Sequence, residues 1–264
     1  MFDDPFNDQA LRPPESLKRL KGPWKLVEET PSTNDLLKSL ASQGAPEGTL
    51  VVAHSQTRGR GRLGRSWVSP PGLGLYFSIL LRPPLPGPQL APLTLLAGLA
   101  AVEALESLGA GVPALKWPND LLLKGKKLGG VLCEYLADAP KPAFILGMGI
   151  NLNHETAHFP DELRSRATSL LQVTGRRWAR REVLPALVES LDREYDRFLA
   201  QGPGPMLSRW SDRAGLSGKR LVLHRGPVRT PGIARGLDEQ GRLLLETDSG
   251  LEAFDGGEVS LEDS

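Results

Sequence analysis

Four arginines fall within eight residues of this chain, Arg58, Arg60, Arg62 and Arg65, interleaved with Gly59, Gly61 and Gly64 and followed by Ser66-Trp67. Glycines let backbone amides approach an anion closely, and each guanidinium makes charge-assisted bonds to carboxylate or phosphate worth roughly 1.5–3 kcal/mol. Such a loop suits a ligand that carries or develops negative charge; a solvated surface loop or an arginine–glycine segment for RNA has the same composition. Against RNA, only Trp67 supplies an aromatic nearby, and 32 Lys and Arg against 31 Asp and Glu leave no basic surplus elsewhere. Lys116-Trp117-Pro118-Asn119-Asp120 then sets a cation, an amide and a carboxylate at a strand break, where proline stops ladder pairing. Lys126-Lys127-Leu128-Gly129-Gly130 follows, and two glycines in an apolar strand are costly unless a backbone or ligand must approach closely. Gly147-Met148-Gly149-Ile150-Asn151-Leu152-Asn153 repeats that pattern; an asparagine there reads an adenine edge or closes a turn.

Other chemistries fail on context. Gly59 to Gly64 matches the dinucleotide fingerprint G-x-G-x-x-G, but Ser69-Pro70-Pro71-Gly72 forbids the helix that must open there, and no acidic residue stands near position 84. No Walker A loop and no Gly-x-Ser-x-Gly elbow occurs. His54, His154, His158 and His224 have no metal-ligand spacing, so no tightly bound metal is expected. Cys133, the single cysteine, lies mid-strand beside Val131 and Leu132 and is expected to be a buried structural thiol.

These residues need a scaffold, and 264 residues with 40% hydrophobic side chains can supply one substantial core and a second small one. Residues 1–23 carry four prolines and no sustained period, which predicts an arm with at most one short helix at Glu15 to Leu20. A strand at Trp24, a helix after Ser32-Thr33-Asn34-Asp35, strands at Thr49 to His54 and Leu73 to Leu81, and a helix over 91–108 that is apolar nearly all round follow. Four short apolar stretches between Val112 and Ile150 predict consecutive strands, and Leu184, Leu187, Leu191, Tyr195 and Phe198 mark an amphipathic helix stopped by Gly202-Pro203-Gly204-Pro205. A brief helix over 206–214 precedes a segment whose four strand-like runs predict a small all-β barrel, with a boundary near 215. The expected class is α+β, a mixed, mainly antiparallel sheet with packed helices. An acidic N-terminus and the lack of any apolar run near the ~20 residues that span a bilayer predict a cytoplasmic protein without a membrane partner.

Ser32-Thr33-Asn34, Gly59-Arg60-Gly61-Arg62-Leu63-Gly64-Arg65-Ser66-Trp67, Lys116-Trp117-Pro118-Asn119-Asp120, Lys127-Leu128-Gly129-Gly130 and Gly149-Ile150-Asn151 resemble, in order and spacing, the biotin protein ligases, also called biotin–[acetyl-CoA-carboxylase] ligases. The resemblance covers about residues 24–264 and implies a catalytic domain over 24–215 and an SH3-like β-barrel over 216–264. Residues 1–23 are too few for the winged helix-turn-helix of the bifunctional members, so no DNA partner is expected. The implied reaction forms biotinyl-5′-AMP from biotin and MgATP, then transfers biotin to a lysine of a carboxylase's biotin carboxyl carrier protein. Arg60, Arg62 and Lys127 match the family's catalytic positions, and Ser32, Thr33, Asn34, Gln56, Gly61 and Gly130 join them around biotin. Arg62, Arg65, Trp67, Lys116, Asn119 and Asn151 match the ATP and adenylate positions, and Asp120 is the candidate magnesium ligand. The alternatives are a lipoate or octanoate protein ligase and, from another class, an arginine-loop nucleic-acid-binding protein. The sequence does not separate a monomer from a homodimer.

Overall fold

The computed structural model describes residues 4–84 and 90–261. Strands β1 (Trp24–Thr30), β2 (Leu50–Gln56), β3 (Gly74–Leu81), β4 (Ala114–Lys116), β5 (Asp120–Leu123), β6 (Lys126–Leu136) and β7 (Ala143–Asn151) form one sheet in the order β1-β2-β3-β7-β6-β5-β4. Only β1 and β2 run parallel, so the expected mixed, mainly antiparallel sheet is present. Among the described residues five α-helices accompany it: α1 (Thr33–Ser42), α2 (Leu90–Ser107), α3 (Leu170–Thr174), α4 (Arg180–Gln201) and α5 (Gly204–Ala214). The short α3, capped by Ser169 accepting from Gln172 N, has too few residues to show a period in the sequence.

Strand alternation decides what each face does. Along β7, Phe144, Leu146, Met148 and Ile150 enter a large apolar cluster with α2, α4 and α5. Ala143 and Ile145 point the other way, into a small cluster with Leu37 and Ala41 of α1. Continuing along that second face come Gly147, against which Asn34 in the first turn of α1 packs so closely that a methyl group would lie 2.1 Å from its Oδ1, and then Gly149 and Asn151. Strand β6 behaves alike: Val131 and Cys133 join the large cluster, while Gly130, Leu132 and Glu134 alternate to the opposite face. The fold therefore leaves a trough lined by glycine on the side that carries α1. Behind it, the apolar α2 is buried nearly all round, and Leu184, Leu187, Leu191, Tyr195 and Phe198 of α4 are all buried. Gly202, at φ 75°, ends that helix.

The arm forms turns without the short helix that its sequence permits. The backbone N–H groups of Lys18, Arg19 and Leu20 instead converge on the Asp192 carboxylate at 2.7, 2.8 and 2.7 Å, and Leu11, Leu17 and Leu20 are buried in the large cluster. Asp4 pairs with buried Arg180 at 2.8 Å, and Arg180 Nη1 lies 2.8 Å from His54 Nδ1.

The C-terminal segment contains β8 (Arg220–Arg225), β9 (Val228–Leu237), β10 (Leu243–Thr247), β11 (Gly250–Phe254) and β12 (Glu258–Leu261), an antiparallel sheet in the order β11-β10-β9-β8-β12. The fifth strand escaped the sequence reading because only Val259 and Leu261 among its four residues are apolar. Among the described residues β11 and β12 are edges that do not pair with each other, so the structure shows a five-stranded sheet and not a closed barrel. Leu221, Leu223, Leu243, Leu245 and Val259 share the large apolar cluster with the main sheet, and Trp117 Nε1 donates to Gly241 O at 3.3 Å.

Candidate functional site

The trough opens into a cavity of about 700 Å³, and all fifteen residues singled out from the sequence line it, from Ser32, Thr33 and Asn34 to Asn151. One end is a polar chain at the start of α1. Thr33 N donates to Gln56 Oε1 at 2.9 Å, Ser78 Oγ donates to Thr33 Oγ1 at 2.7 Å or to Asn34 Oδ1 at 2.5 Å, and Gln56 Nε2 donates to Ser69 Oγ at 2.9 Å. Ser32 holds the extended N-cap conformation but makes no side-chain cap bond, which leaves it to the cavity it lines.

Three charges of the arginine loop, those of Arg60, Arg62 and Arg65, are braced. Arg60 binds Glu134 through Nη1 at 3.2 Å and Nη2 at 2.7 Å, and its Nη2 lies 2.7 Å from Asp35. Arg62 Nη1 donates to Asn119 Oδ1 at 3.4 Å; burial pulls its guanidinium below the usual value, opposed by the Asp120 charge. Arg65 pairs with Glu258 of β12, so the C-terminal sheet touches the loop directly. Within the loop, Gly61 N bonds Arg65 O at 2.7 Å and Trp67 N bonds Gly59 O at 2.8 Å. A methyl group on Gly149 would lie 2.4 Å from Trp67 Nε1, which shows why the strand beneath the indole carries no side chain there. Lys127 Nζ stands 5.6 Å from the centroid of the same indole and 2.7 Å from Asp120 Oδ1.

Lys127 is also fixed through its backbone. Its N–H donates to Arg166 O at 2.7 Å and its carbonyl accepts from Thr168 N at 2.9 Å. This ties the β7–α3 segment to the cavity, where Phe159, Leu163, Ser165, Arg166 and Ala167 form part of the wall. The sequence reading missed that wall, because irregular backbone carries no period to follow. It also missed Asp35, Lys38, Ser78, Glu134 and Glu258, each of which pairs a cavity residue across 25 to 193 positions or supports one that does. The Asn151 amide donates to Thr168 O at 2.9 Å, so that donor is already engaged.

Groups expected to be bland are placed accordingly. Cys133 is buried on the opposite face of β6 and its thiol pKa is pushed up by burial. Among the described residues no three His, Cys, Asp or Glu side chains gather as a metal site. Asp120 Oδ1 is buried and meets the Lys127 ammonium, yet accepts no hydrogen bond of regular geometry. One such carboxylate fits a magnesium ion held mainly by substrate phosphates, not one caged by protein. No described helix is long and apolar enough to cross a membrane.

Comparison with known proteins finds clear relatives of the chain. Residues 26–151 match the model of the biotin/lipoate A/B protein ligase family, and residues 222–262 match that of the biotin protein ligase C terminal domain. The chain is 38% identical over 231 residues to the bifunctional ligase/repressor BirA of Bacillus subtilis, covering 87% of this chain and 71% of that one. It is 32% identical over 264 residues to the biotin–[acetyl-CoA-carboxylase] ligase of Mycobacterium tuberculosis, covering 97% and 95%. Among solved structures, the Aquifex aeolicus biotin protein ligase in complex with biotin and ATP superposes with a TM-score of 0.79 at 36% identity, covering 91% of this chain and 99% of that one.

Proposed function

The chain belongs to the biotin/lipoate A/B protein ligase family, and from that premise we propose how its cavity carries out ATP-dependent biotin ligation. A biotin carboxylate oxygen attacks the α-phosphorus of ATP, the bond to the β-phosphate breaks, and biotinyl-5′-AMP and pyrophosphate form. A carrier lysine amine then attacks the acyl carbon, the acyl–phosphate bond breaks, and AMP leaves. The observation that carries this reading is the convergence of Arg60, Arg62, Arg65, Lys116 and Lys127 on one cavity whose far end is the uncharged chain of Ser32, Thr33 and Gln56. Biotin needs both ends: its cyclic urea has two N–H donors and a carbonyl to satisfy, and its carboxylate must approach a phosphate of like charge.

Arg60, Arg62 and Lys127 act where that repulsion is greatest, in the adenylation transition state, with Asn34, Gly61 and Gly130 completing the biotin side. Arg65, Trp67, Lys116, Asn119 and Asn151 serve the nucleotide. Asp120 and the phosphates would hold magnesium, which offsets phosphate charge. The loop shields the labile adenylate from water. The cationic surroundings also favour the neutral form of the acceptor lysine, which in water, with a pKa of about 10.4, is neutral in only roughly one molecule in 2,500 at pH 7. We assign catalysis to residues 24–215 and read residues 216–264 as an SH3-like unit that braces the loop through Glu258, after an arm over residues 1–23. The acceptor is a biotin carboxyl carrier protein and the setting cytoplasmic. The match of the C-terminal segment to a biotin protein ligase domain favours biotin over lipoate or octanoate.

Biotin-dependent ATP–pyrophosphate exchange tests the proposal. The protein is expected to exchange with biotin and not with lipoate, and Lys127→Ala to lower the rate by about 10²–10³-fold. No exchange with biotin would refute the function; intact exchange in the variant would remove Lys127 from the catalytic group.

A further inference from the structure

Arg60 has more holders than a surface arginine requires. Glu134 takes both terminal nitrogens and Asp35 takes one of them again, while Arg60 Nε is buried with no partner in a side chain that lines the cavity. A buried, unpartnered guanidinium N–H costs free energy unless a ligand satisfies it. Arg60 is thus clamped by its far edge, with its Nε–H left over.

The clamp is itself fixed. Glu134 also accepts from Asn34 Nδ2 at 2.7 Å and from Lys38 Nζ at 2.7 Å. Burial alone would raise its carboxyl pKa, but the bonds from Lys38 and Asn34 and the charges of Lys38 and Arg60 outweigh that, so it is held below the usual range and remains an anion. Glu134 does not line the cavity, whereas Asn34 does. Through Asn34 and Ser78 the clamp is continuous with Thr33 and Gln56, and through Ser69 Oγ it reaches the carbonyl of Trp67 at 3.1 Å. One polar chain therefore ties down Arg60, Trp67 and the uncharged end of the cavity together.

We propose that Glu134 is a positioning residue for ligation: it sets the plane of the Arg60 guanidinium so that Nε–H and the positive charge meet the biotin carboxylate, and Arg60 carries most of its effect, with a smaller share through Asn34. The inference rests on Arg60 being a biotin-facing cation. An ion pair of similar exposure with no such task would contribute little to stability and nothing to substrate affinity.

A double-mutant cycle on the full chain separates these roles. Biotin KM, ATP KM and kcat in pyrophosphate exchange are measured for Arg60→Ala, Glu134→Ala and the double variant, with Tm as the folding control. Glu134→Ala is expected to raise biotin KM by about tenfold or more, the loss of one charge-assisted hydrogen bond, with ATP KM within about twofold. Adding Glu134→Ala to Arg60→Ala is expected to raise biotin KM by much less than Glu134→Ala does alone, since only the bond to Asn34 is then lost. Glu134→Gln keeps one acceptor for Arg60, should raise biotin KM less, and serves in the cycle if the alanine variant does not fold. An Arg60→Ala variant with raised biotin KM beside a silent Glu134→Ala would overturn the positioning role alone, as would effects that multiply in the double variant. An unchanged biotin KM in Arg60→Ala would overturn the assignment of Arg60 and the positioning role with it.

Discussion

Two adjacent glycines in β6 should fail in different ways when given a methyl group. Their side-chain directions lie on opposite faces of the strand. On Gly129 a Cβ would stand 2.7 Å from the carbonyl oxygen of Gly149, 3.3 Å from Ile150 Cγ1 and 3.4 Å from Leu121 Cδ1. The first of these is backbone of the neighbouring strand, held by the Gly129–Ile150 and Gly130–Gly149 pairings, and has little freedom to retreat. Overpacking of this kind costs about 1–3 kcal/mol, and at about 2–4 °C per kcal/mol for a chain of this size Gly129→Ala should lower Tm by about 2–12 °C. On Gly130 the same atom would be 3.6 Å from Asn119 O, Asp120 Oδ1 and Lys127 Cε, ordinary contact distance, and would occupy the cavity. Because glycine in a strand is disfavoured against alanine by roughly 0.5–1 kcal/mol, Gly130→Ala should hold or slightly raise Tm. Its cost falls on the ligand: the same 1–3 kcal/mol of crowding raises biotin KM by about 5- to 150-fold. Thermal melts and pyrophosphate exchange on both variants make the comparison. A Gly130→Ala protein that melts early, or that binds biotin as tightly as the parent, would refute the assignment of the two glycines to packing and ligand.

Two further outcomes follow from buried groups away from the reacting atoms. His154 is fully buried, stacked on the cavity residue Phe159, and its pKa is lowered to about 4 by burial and then by the His158 charge. Between the ordinary value of about 6.5 and this one, the unfolded chain binds a proton that the folded chain refuses, so stability should fall as pH drops through that window, by on the order of 3 kcal/mol in full. Melts from pH 7 to 4.5 should show a slope that His154→Phe flattens; equal slopes would remove His154 as the cause. Removing residues 1–20 strips Leu11, Leu17 and Leu20 from the main core and leaves Asp192 without the three N–H groups it now binds. The shortened protein should melt several degrees lower, as should Asp192→Ala, and an unchanged Tm in both would show that the arm is not part of the folded unit.

Much of the fold was legible in the sequence. The strands around Gly129-Gly130 and Gly147-Gly149, the apolar α2 and the Leu-Leu-Leu-Tyr-Phe stripe of α4 are local patterns of period 2 and 3.6, and local sterics enforce them. The arm, the wall around Phe159 and strand β12 were not, because each is held by partners far along the chain and not by a pattern of its own. Asp192 for the arm and Lys127 for the wall are the clearest instances.

The cavity divides the same way. The sequence by itself determined which residue types do the chemistry, since clustered arginines, a lysine beside paired glycines and an asparagine after a glycine-rich strand are dense enough in one dimension to be recognised, and Arg60, Arg62, Arg65, Lys127 and Asn151 line one cavity. Only the tertiary structure decided what holds them. Glu134 for Arg60 and Glu258 for Arg65 are single carboxylates among 31 acidic residues, ordinary in type and distinguished by position alone, and Asp120, marked by its motif, is matched to Lys127 only by the fold. A charge is oriented by what lies within hydrogen-bond reach of it in space, and folding, not spacing along the chain, sets that distance.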